Sequence, residues 1–163
     1  MNSGRAELGI VECERALALD RNLATAHAWI GMGKYYSGRP DETEGHILQA
    51  LRISPRDAYA SAWMVFAAFA KFGEGKDEEA AQWATRSIDA SPDFMTAHFV
   101  LAAALVGLGR IAEAREAVRA GLDLNPALTI ARYRASPSSD HPRYLAALAR
   151  ILDALRRAGV PEG

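Results

Sequence analysis

The sequence predicts an all-α protein: a solenoid of antiparallel helix hairpins with a C-terminal capping helix. Turns that contain glycine recur with spacings of 34, 37 and 34 residues, at Gly4, Gly38, Gly75 and Gly109. Prolines that end the helical patterns recur with spacings of 37 and 34 residues, at Pro55, Pro92 and Pro126. Between each turn and each proline lies one helical pattern, and a second one precedes the next turn. A single hairpin cannot bury both of its faces, so neighbouring hairpins are expected to stack.

The composition indicates one globular domain with no general attraction to polyanions. The chain has 163 residues, of which 50% are hydrophobic and 24% are charged, and its formal net charge is −1. A balanced charge gives no reason to expect binding to nucleic acid or to anionic lipid. Cys13 is the only cysteine, which excludes an internal disulfide and suits a reducing compartment. No apolar run is long enough to span a bilayer, and the start has no secretory pattern. We therefore expect a cytoplasmic protein.

The spacing divides the chain into an array and a tail. It predicts a half repeat over 4–21, full repeats over about 22–55, 56–92 and 93–126, and a segment 127–163 outside the array. That segment should hold a partial helix, a linker rich in Ser and Pro from Ser136, and the capping helix. Ser139 or Asp140 is expected to cap this last helix, with Pro142 in its first turn.

The repeat resembles the tetratricopeptide family, whose pattern is W-x2-L-G-x2-Y, then A-x3-F, then P. The three units read as follows: His27-x2-Ile30-Gly31-x2-Lys34, Thr43-x3-Ile47 and Pro55; Trp63-x2-Phe66-Ala67-x2-Ala70, Ala80-x3-Ala84 and Pro92; His98-x2-Leu101-Ala102-x2-Leu105, Ala114-x3-Val118 and Pro126. The three additional residues of the middle unit are assigned two before Trp63 and one near Phe72. The resemblance implies a right-handed superhelix whose first helices line a concave side, and a protein that binds other proteins.

A narrower resemblance is to the C-terminal tetratricopeptide region of bacterial adenylate/guanylate cyclase-like proteins. The segments that carry this resemblance are residues 12–24, 101–105, 129–135 and 158–162. It implies a catalytic domain upstream of this chain. No cyclase activity transfers to the chain itself, because none of the metal-binding or nucleotide-binding residues of a cyclase is present.

The search for chemistry finds no catalytic, cofactor-binding or metal-binding constellation. No two of the four histidines are three or four residues apart, so no helix offers a paired metal site. His27 and His98 replace the aromatic residue of the repeat and are expected to pack. Cys13 is expected to be a small core residue, since no motif pairs it with a histidine.

The surface expected to carry function is the concave side, where helical spacing marks one stripe on each first helix. The predicted stripe comprises Thr25, Ala28, Met32, Tyr35, Tyr36, Ser61, Met64, Ala68, Lys71, Phe72, Thr96, Phe99 and Ala103. It is apolar and aromatic, with Lys71 its main charge, so it suits an amphipathic helix or an apolar peptide. Chaperone-binding relatives clamp a carboxylate with several cationic and amide side chains, and this stripe, in which Lys71 is the main charge, is not expected to form such a clamp. In the alternative, three repeats curve too little for a groove and the stripe packs against the C-terminal helix.

The sequence thus predicts a non-catalytic interaction or assembly module with a protein or peptide partner. The first repeat has only its second helix, which leaves apolar residues such as Leu8 and Leu17 without a partner helix. Two explanations stay open: the chain is cut from a longer protein, or this end forms a homodimer. The second functional hypothesis is the regulatory region of a nucleotide cyclase whose catalytic domain lies elsewhere.

Overall fold

The computed structural model describes residues 3–135 and 137–163, so Ser136 of the predicted linker lies outside the described residues. Within these ranges the regular secondary structure is entirely helical, with no strand. The helices are α1 (Ser3–Leu19), α2 (Ala24–Tyr36), α3 (Thr43–Ile53), α4 (Ala60–Gly73), α5 (Asp77–Ala90), α6 (Met95–Gly107), α7 (Ile111–Leu124), α8 (Ile130–Arg134) and α9 (Pro142–Ala158), with a 3₁₀ turn at Pro40–Glu42. None of these helices is long and apolar enough to cross a membrane.

The hairpins are α2–α3, α4–α5 and α6–α7, and α1 packs on α2. Each hairpin turns at a glycine with positive φ: Gly38 at 73°, Gly75 at 78° and Gly109 at 76°. A side chain would be strained in this left-handed conformation, which is why glycine recurs at the turn. The prediction of an α-solenoid of antiparallel hairpins is confirmed.

Small residues set how closely paired helices approach. A Cβ atom added to Gly31 of α2 would lie 3.1 Å from the carbonyl oxygen of Thr43 in α3. One added to Gly121 of α7 would lie 2.7 Å from Cζ of Phe99 in α6. Thr43 also donates its hydroxyl hydrogen to the Gly31 carbonyl at 3.0 Å. The first and third hairpins are therefore each closed around a point where a larger side chain would not fit.

The C-terminal segment folds back on the array instead of extending it. The backbone N–H of Ile130 donates to the carbonyl of Pro161 at 2.8 Å, so the end of the chain lies against the start of α8. The ring of His141 caps α9 by accepting a hydrogen bond from the N–H of Arg143 at 3.2 Å. The cap is thus His141, and the expectation of Ser139 or Asp140 was wrong. The structure uses Ser139 to join the tail to α2.

Candidate functional site

The inner face is the surface formed by the three first helices, α2, α4 and α6, which lie side by side. α9 runs across this face and contacts α4, α6 and α7. Its buried side includes Leu148, Ile151 and Leu155, which join the same core as α6. The inner face is therefore divided into a part beneath α9, near the C-terminal ends of the first helices, and an open part near their N-terminal ends.

Polar contacts hold α9 to successive hairpins. At the first hairpin, the hydroxyl of Ser139 donates to the carbonyl of Tyr36 at 2.7 Å, and Nη1 of Arg143 donates to the carbonyl of Gly38 at 2.9 Å. At the second, Nη1 of Arg150 donates to the carbonyl of Phe72 at 2.6 Å. These carbonyls belong to helix ends, where backbone acceptors lack helical partners. α9 and the segment just before it therefore supply donors to carbonyls at the ends of α2 and α4.

Aromatic rings surround a cleft of about 380 Å³ between α2, α4, α8, α9 and the start of α6. The aromatic residues that line it are Tyr35, Tyr36, Phe66, Phe69, Phe94, Tyr133 and Tyr144. Tyr144 of α9 meets both Tyr35 and Tyr36 edge to face, with ring centroids 5.6 Å apart in each pair. Burial raises the pKa of Tyr35 and of Tyr133, so these phenols stay protonated at neutral pH. The cleft is uncharged and predominantly aromatic.

A second groove, of about 390 Å³, lies on the open part of the inner face between α2 and α4. We call it the α2–α4 groove, and it is lined by Thr25, Ala28, Trp29, Met32, Tyr59, Ala62, Trp63 and Phe66. None of these described residues is charged. Trp29 is 54% exposed and Tyr59 67% exposed, so two large aromatic side chains stand in solvent at its rim. Ala62 and Phe66 also line the aromatic cleft, which makes the two depressions neighbours.

The structure brings together only some of the predicted stripe. Thr25, Ala28 and Met32 line the α2–α4 groove, while Tyr35, Tyr36 and Thr96 line the aromatic cleft. The others line neither: Ser61, Met64, Ala68, Lys71, Phe72, Phe99 and Ala103. Phe72, Phe99 and Ala103 are buried, because α9 and the partner helices pack over them. These three side chains offer no surface to a ligand.

On α4 the predicted stripe is one residue out of register with the face that lines the cleft and the groove. In the first and third hairpins the small crossing residue, Gly31 or Ala102, lies seven positions before the turn glycine. The same count back from Gly75 gives Ala68, whereas matching Trp63 to the tryptophan of the repeat pattern predicts Ala67. All three additional residues of the middle repeat therefore lie between Pro55 and Ala68, in the loop after Pro55 and the first turn of α4, and none lies near Phe72. The stripe that faces the grooves is Ala62, Val65, Phe66 and Phe69.

Because of this shift in register, Lys71 does not place a positive charge on the inner face. It is 6% exposed, and its Nζ lies 2.7 Å from Oε2 of Glu44 and 2.9 Å from Oε2 of Glu79. Burial would lower the pKa of Lys71, but hydrogen bonds to the two carboxylates outweigh it and raise the pKa above its usual value. The ion cluster joins α3, α4 and α5 and acts as a structural connection between hairpins.

Five residues of the groove lie outside the predicted stripe: Trp29, Tyr59, Ala62, Trp63 and Phe66. Trp29 was overlooked because it lies beside Ala28 at the edge of the α2 stripe, and Ala62 because of the register error. Tyr59 belongs to the loop that contains the additional residues, and this loop carries its ring to the groove. A 37-residue spacing in an array with a period of 34 was the available signal, since insertions in repeat arrays map to loops on one face.

His27 and His98 have structural roles. Nε2 of His27 and of His98 lie 3.3 and 2.8 Å from the carbonyl oxygens of Arg21 and Pro92, each six residues earlier. A donor at Nε2 satisfies both contacts, so each ring fastens the start of a first helix to the preceding loop. Among the described residues, no group of three or more His, Cys, Asp or Glu side chains could hold a metal ion.

These features define a helical-hairpin solenoid with an uncharged groove on the face of its first helices. No protein-family profile matches the sequence, and no curated protein sequence matches it. Solved structures do resemble it, and they are tetratricopeptide proteins. The predicted likeness to a cyclase-associated region gains no support from these comparisons.

The similar structures share the fold at low sequence identity. The second tetratricopeptide domain of human RPAP3, in complex with the HSP70 peptide SGPTIEEVD, has a TM-score of 0.60 at 18% identity, over 78% of this chain and 93% of that one. A MamA RS-1 double mutant has a TM-score of 0.68 at 14% identity, over 96% of this chain and 88% of that one. MamA MSR-1 has a TM-score of 0.63 at 19% identity, over 95% and 86%. The chain therefore has the tetratricopeptide fold.

Proposed function

We propose that this chain is a non-catalytic protein-interaction module that binds an apolar segment of a partner protein, in helical form, in the α2–α4 groove. The observation that carries the proposal is that α9, an amphipathic helix, already covers the neighbouring part of the inner face. The face accepts a helix there by burying Leu148, Ile151 and Leu155. The open part continues the same surface, and its lining is equally apolar.

The lining sets the chemistry of the segment. Two exposed rings, Trp29 and Tyr59, frame a floor made by Ala28, Ala62 and Phe66. Rigid aromatic side chains around small residues form a pocket for one or two apolar anchors, which an amphipathic helix supplies at positions i and i+3 or i+4. Desolvating such anchors contributes most of the binding energy in interfaces of this kind.

An acidic C-terminal tail is a poorer ligand for this chain. The RPAP3 domain holds a peptide that ends in EEVD, and such carboxylates need cationic partners. Neither the α2–α4 groove nor the aromatic cleft is lined by a described lysine or arginine. Lys71, the cation expected there, is neutralised by Glu44 and Glu79. We therefore expect EEVD peptides to bind weakly or not at all.

The test is a selection of displayed random peptides against the immobilised chain, followed by titration of the selected peptides. The selected peptides are expected to carry apolar residues three or four positions apart. Met32→Glu or Trp29→Glu should weaken their affinity for the chain more than about tenfold, the equivalent of one buried anchor. Leu124→Glu, at an exposed site on α7, is the control. Acidic winners, or affinity unchanged by both groove variants, would contradict the proposal.

Two other functions follow from particular features. Self-association is favoured by large exposed apolar side chains on α1, with Leu8 at 68% and Leu19 at 92%. The regulatory region of a nucleotide cyclase stays a prediction from the sequence text alone. Turnover of a nucleotide by the purified chain would overturn the proposal that the module is non-catalytic.

A further inference from the structure

The outer face of α1 carries apolar side chains in solvent. Leu8, Val11 and Leu19 are 68%, 41% and 92% exposed. Together with Arg15 they lie at intervals of three, four and four residues, which places them on one stripe of the helix. Ile10 lies on the opposite side and packs toward Gly33 of α2. The stripe therefore points away from the array.

The same repeat position is polar in every other hairpin. Stepping from Leu8 by the repeat spacings of 34, 37 and 34 residues reaches Glu42, Glu79 and Glu113. These glutamate side chains are 41%, 47% and 54% exposed. Stacking of repeats thus leaves this position in solvent even in complete hairpins. A leucine in place of the recurrent glutamate indicates a surface that another molecule covers.

A first helix packed on α1 would reach the position of Leu8 without burying it. In complete hairpins Glu42 pairs with Lys34 of α2 and Glu79 with Lys71 of α4, yet these glutamates stay 41% and 47% exposed. In complete hairpins the first helix packs against positions such as Ala80 and Ala84, both fully buried. The equivalent positions on α1 are Gly9 and Cys13, on a different side of the helix from Leu8. A Cβ added to Gly9 meets nothing within 4 Å. Contacts on that side would leave Leu8 about as exposed as the glutamates at its position in the other hairpins.

The pattern along the stripe is symmetric about its centre. It reads Leu8-x3-Glu12-x2-Arg15-x3-Leu19, with a leucine at each end and charges of opposite sign between them. In an antiparallel pair related by a twofold axis between residues 13 and 14, each Leu8 lies beside Leu19 of the second copy. Each Glu12 then lies beside Arg15 of the second copy. A surface that is complementary to itself under a twofold rotation is the condition for an isologous dimer.

We infer that α1 pairs antiparallel with α1 of a second copy of this chain through the Leu8–Leu19 stripe. This pairing specifies the surface and the register of the self-association proposed above. The inference does not depend on binding in the α2–α4 groove, which no residue of α1 lines. Glu12 and Arg15 lie 2.7 Å apart within one helix and are 68% and 71% exposed. In the dimer, part of this ion pair is replaced by ion pairs with the second copy across the twofold axis. A contact through one helix pair is small, so the dimer forms reversibly with concentration.

The test is sedimentation equilibrium of the whole chain under reducing conditions over a wide range of concentrations. A monomer–dimer equilibrium is expected, and Leu8→Glu should weaken it more than about tenfold without unfolding, since a buried leucine contributes at least that factor. Leu19→Glu should do the same. Leu124→Glu is the matched control, because Leu124 has the repeat position of Leu19 and is 43% exposed, and it should leave dimerisation unchanged.

Charge exchange fixes the register. Glu12→Arg alone places like charges together across the axis and should weaken the dimer, whereas Glu12→Arg with Arg15→Glu should restore it. A chain that stays monomeric at every concentration overturns the inference. So does a dimer that is insensitive to Leu8→Glu, or equally sensitive to Leu124→Glu. Met32→Glu should not alter the dimer, so failure of this inference and failure of the groove proposal are distinguishable.

Discussion

Arg150 of α9 and Asp77 of α5 form a two-oxygen ion pair, with Nη2 2.5 Å from each carboxylate oxygen. The residues are 73 positions apart in the chain. The same guanidinium lies over the ring of Phe72, 4.0 Å from its centroid, and Asp77 is 12% exposed. One side chain therefore joins the capping helix to the end of α4 and the start of α5.

Arg150→Ala should accordingly loosen α9. The change leaves the nearly buried carboxylate of Asp77 without its donor and removes the stacking on Phe72, so we expect a loss of about 1–3 kcal/mol in the free energy of unfolding. Arg150→Lys should recover only part of it, because an ammonium cannot donate as a planar fork. Urea unfolding followed by circular dichroism measures both. The exposed Arg157→Ala is the control, and a value for Arg150→Ala within its error would contradict the assignment.

Gly121 and Phe99 provide a test of packing within a hairpin. A Cβ at Gly121 would lie 2.7 Å from Cζ of Phe99, and Phe99 is 2% exposed, so it cannot turn into solvent. Gly121→Ala should destabilise the chain by about 1–3 kcal/mol by overpacking. Gly45→Ala in α3 is the counterpart, since an added Cβ there meets nothing within 4 Å. That change should be neutral or stabilising by up to about 1 kcal/mol. Thermal denaturation of both variants separates a steric effect from a general effect of alanine.

The fold could be predicted from the sequence because its signals are local. Glycine is required where φ is positive, and helical periodicity survives in every unit. The placement of α9 could not be predicted in the same way. Its apolar stripe indicates that one face is buried, but the surface that receives it depends on contacts such as Arg150 with Asp77, which no local pattern encodes. The register of α4 could have been fixed by counting back from Gly75, whereas matching Trp63 to the tryptophan of the repeat pattern shifted it by one residue.

Acid should weaken the ion cluster of Lys71. Burial would raise the pKa of Glu44, but hydrogen bonds from Lys71 and Trp83 outweigh it, and the pKa of Glu44 is lowered. A carboxylate with a lowered pKa in the folded chain stabilises it above the ordinary glutamate pKa of about 4.3. That stability is lost as the pH falls through the lower value. We expect the free energy of unfolding to decline below about pH 4.3 for this reason.

Lys71→Met isolates this contribution. It should destabilise the chain at pH 7 by about 1–3 kcal/mol, because two carboxylates lose their shared cation. The difference from the unmodified chain should shrink as the pH falls through the lowered pKa of Glu44, because this carboxylate is then protonated in both proteins. Urea unfolding at a series of pH values measures it. Lys34→Met, at the equivalent position of the first hairpin, is the comparison. If the free energies of unfolding of Lys71→Met and of the unmodified chain run parallel over the whole pH range, loss of the Lys71–Glu44 contact does not cause the decline in acid.

The exposure of Trp29 gives the α2–α4 groove an intrinsic reporter. Trp29 is 54% exposed, whereas Trp63 and Trp83 are each 5% exposed. Iodide, which does not enter protein interiors, should quench one class of tryptophan in the free chain, and Trp29→Phe should remove that class. An apolar ligand in the groove desolvates Trp29, so it should shift the emission to shorter wavelength and protect it from iodide. Trp83→Phe, on α5 and outside the groove, should leave both effects in place. If a bound peptide leaves quenching of Trp29 unchanged, the peptide occupies another surface, since no ligand can fill a groove lined by this ring without covering it.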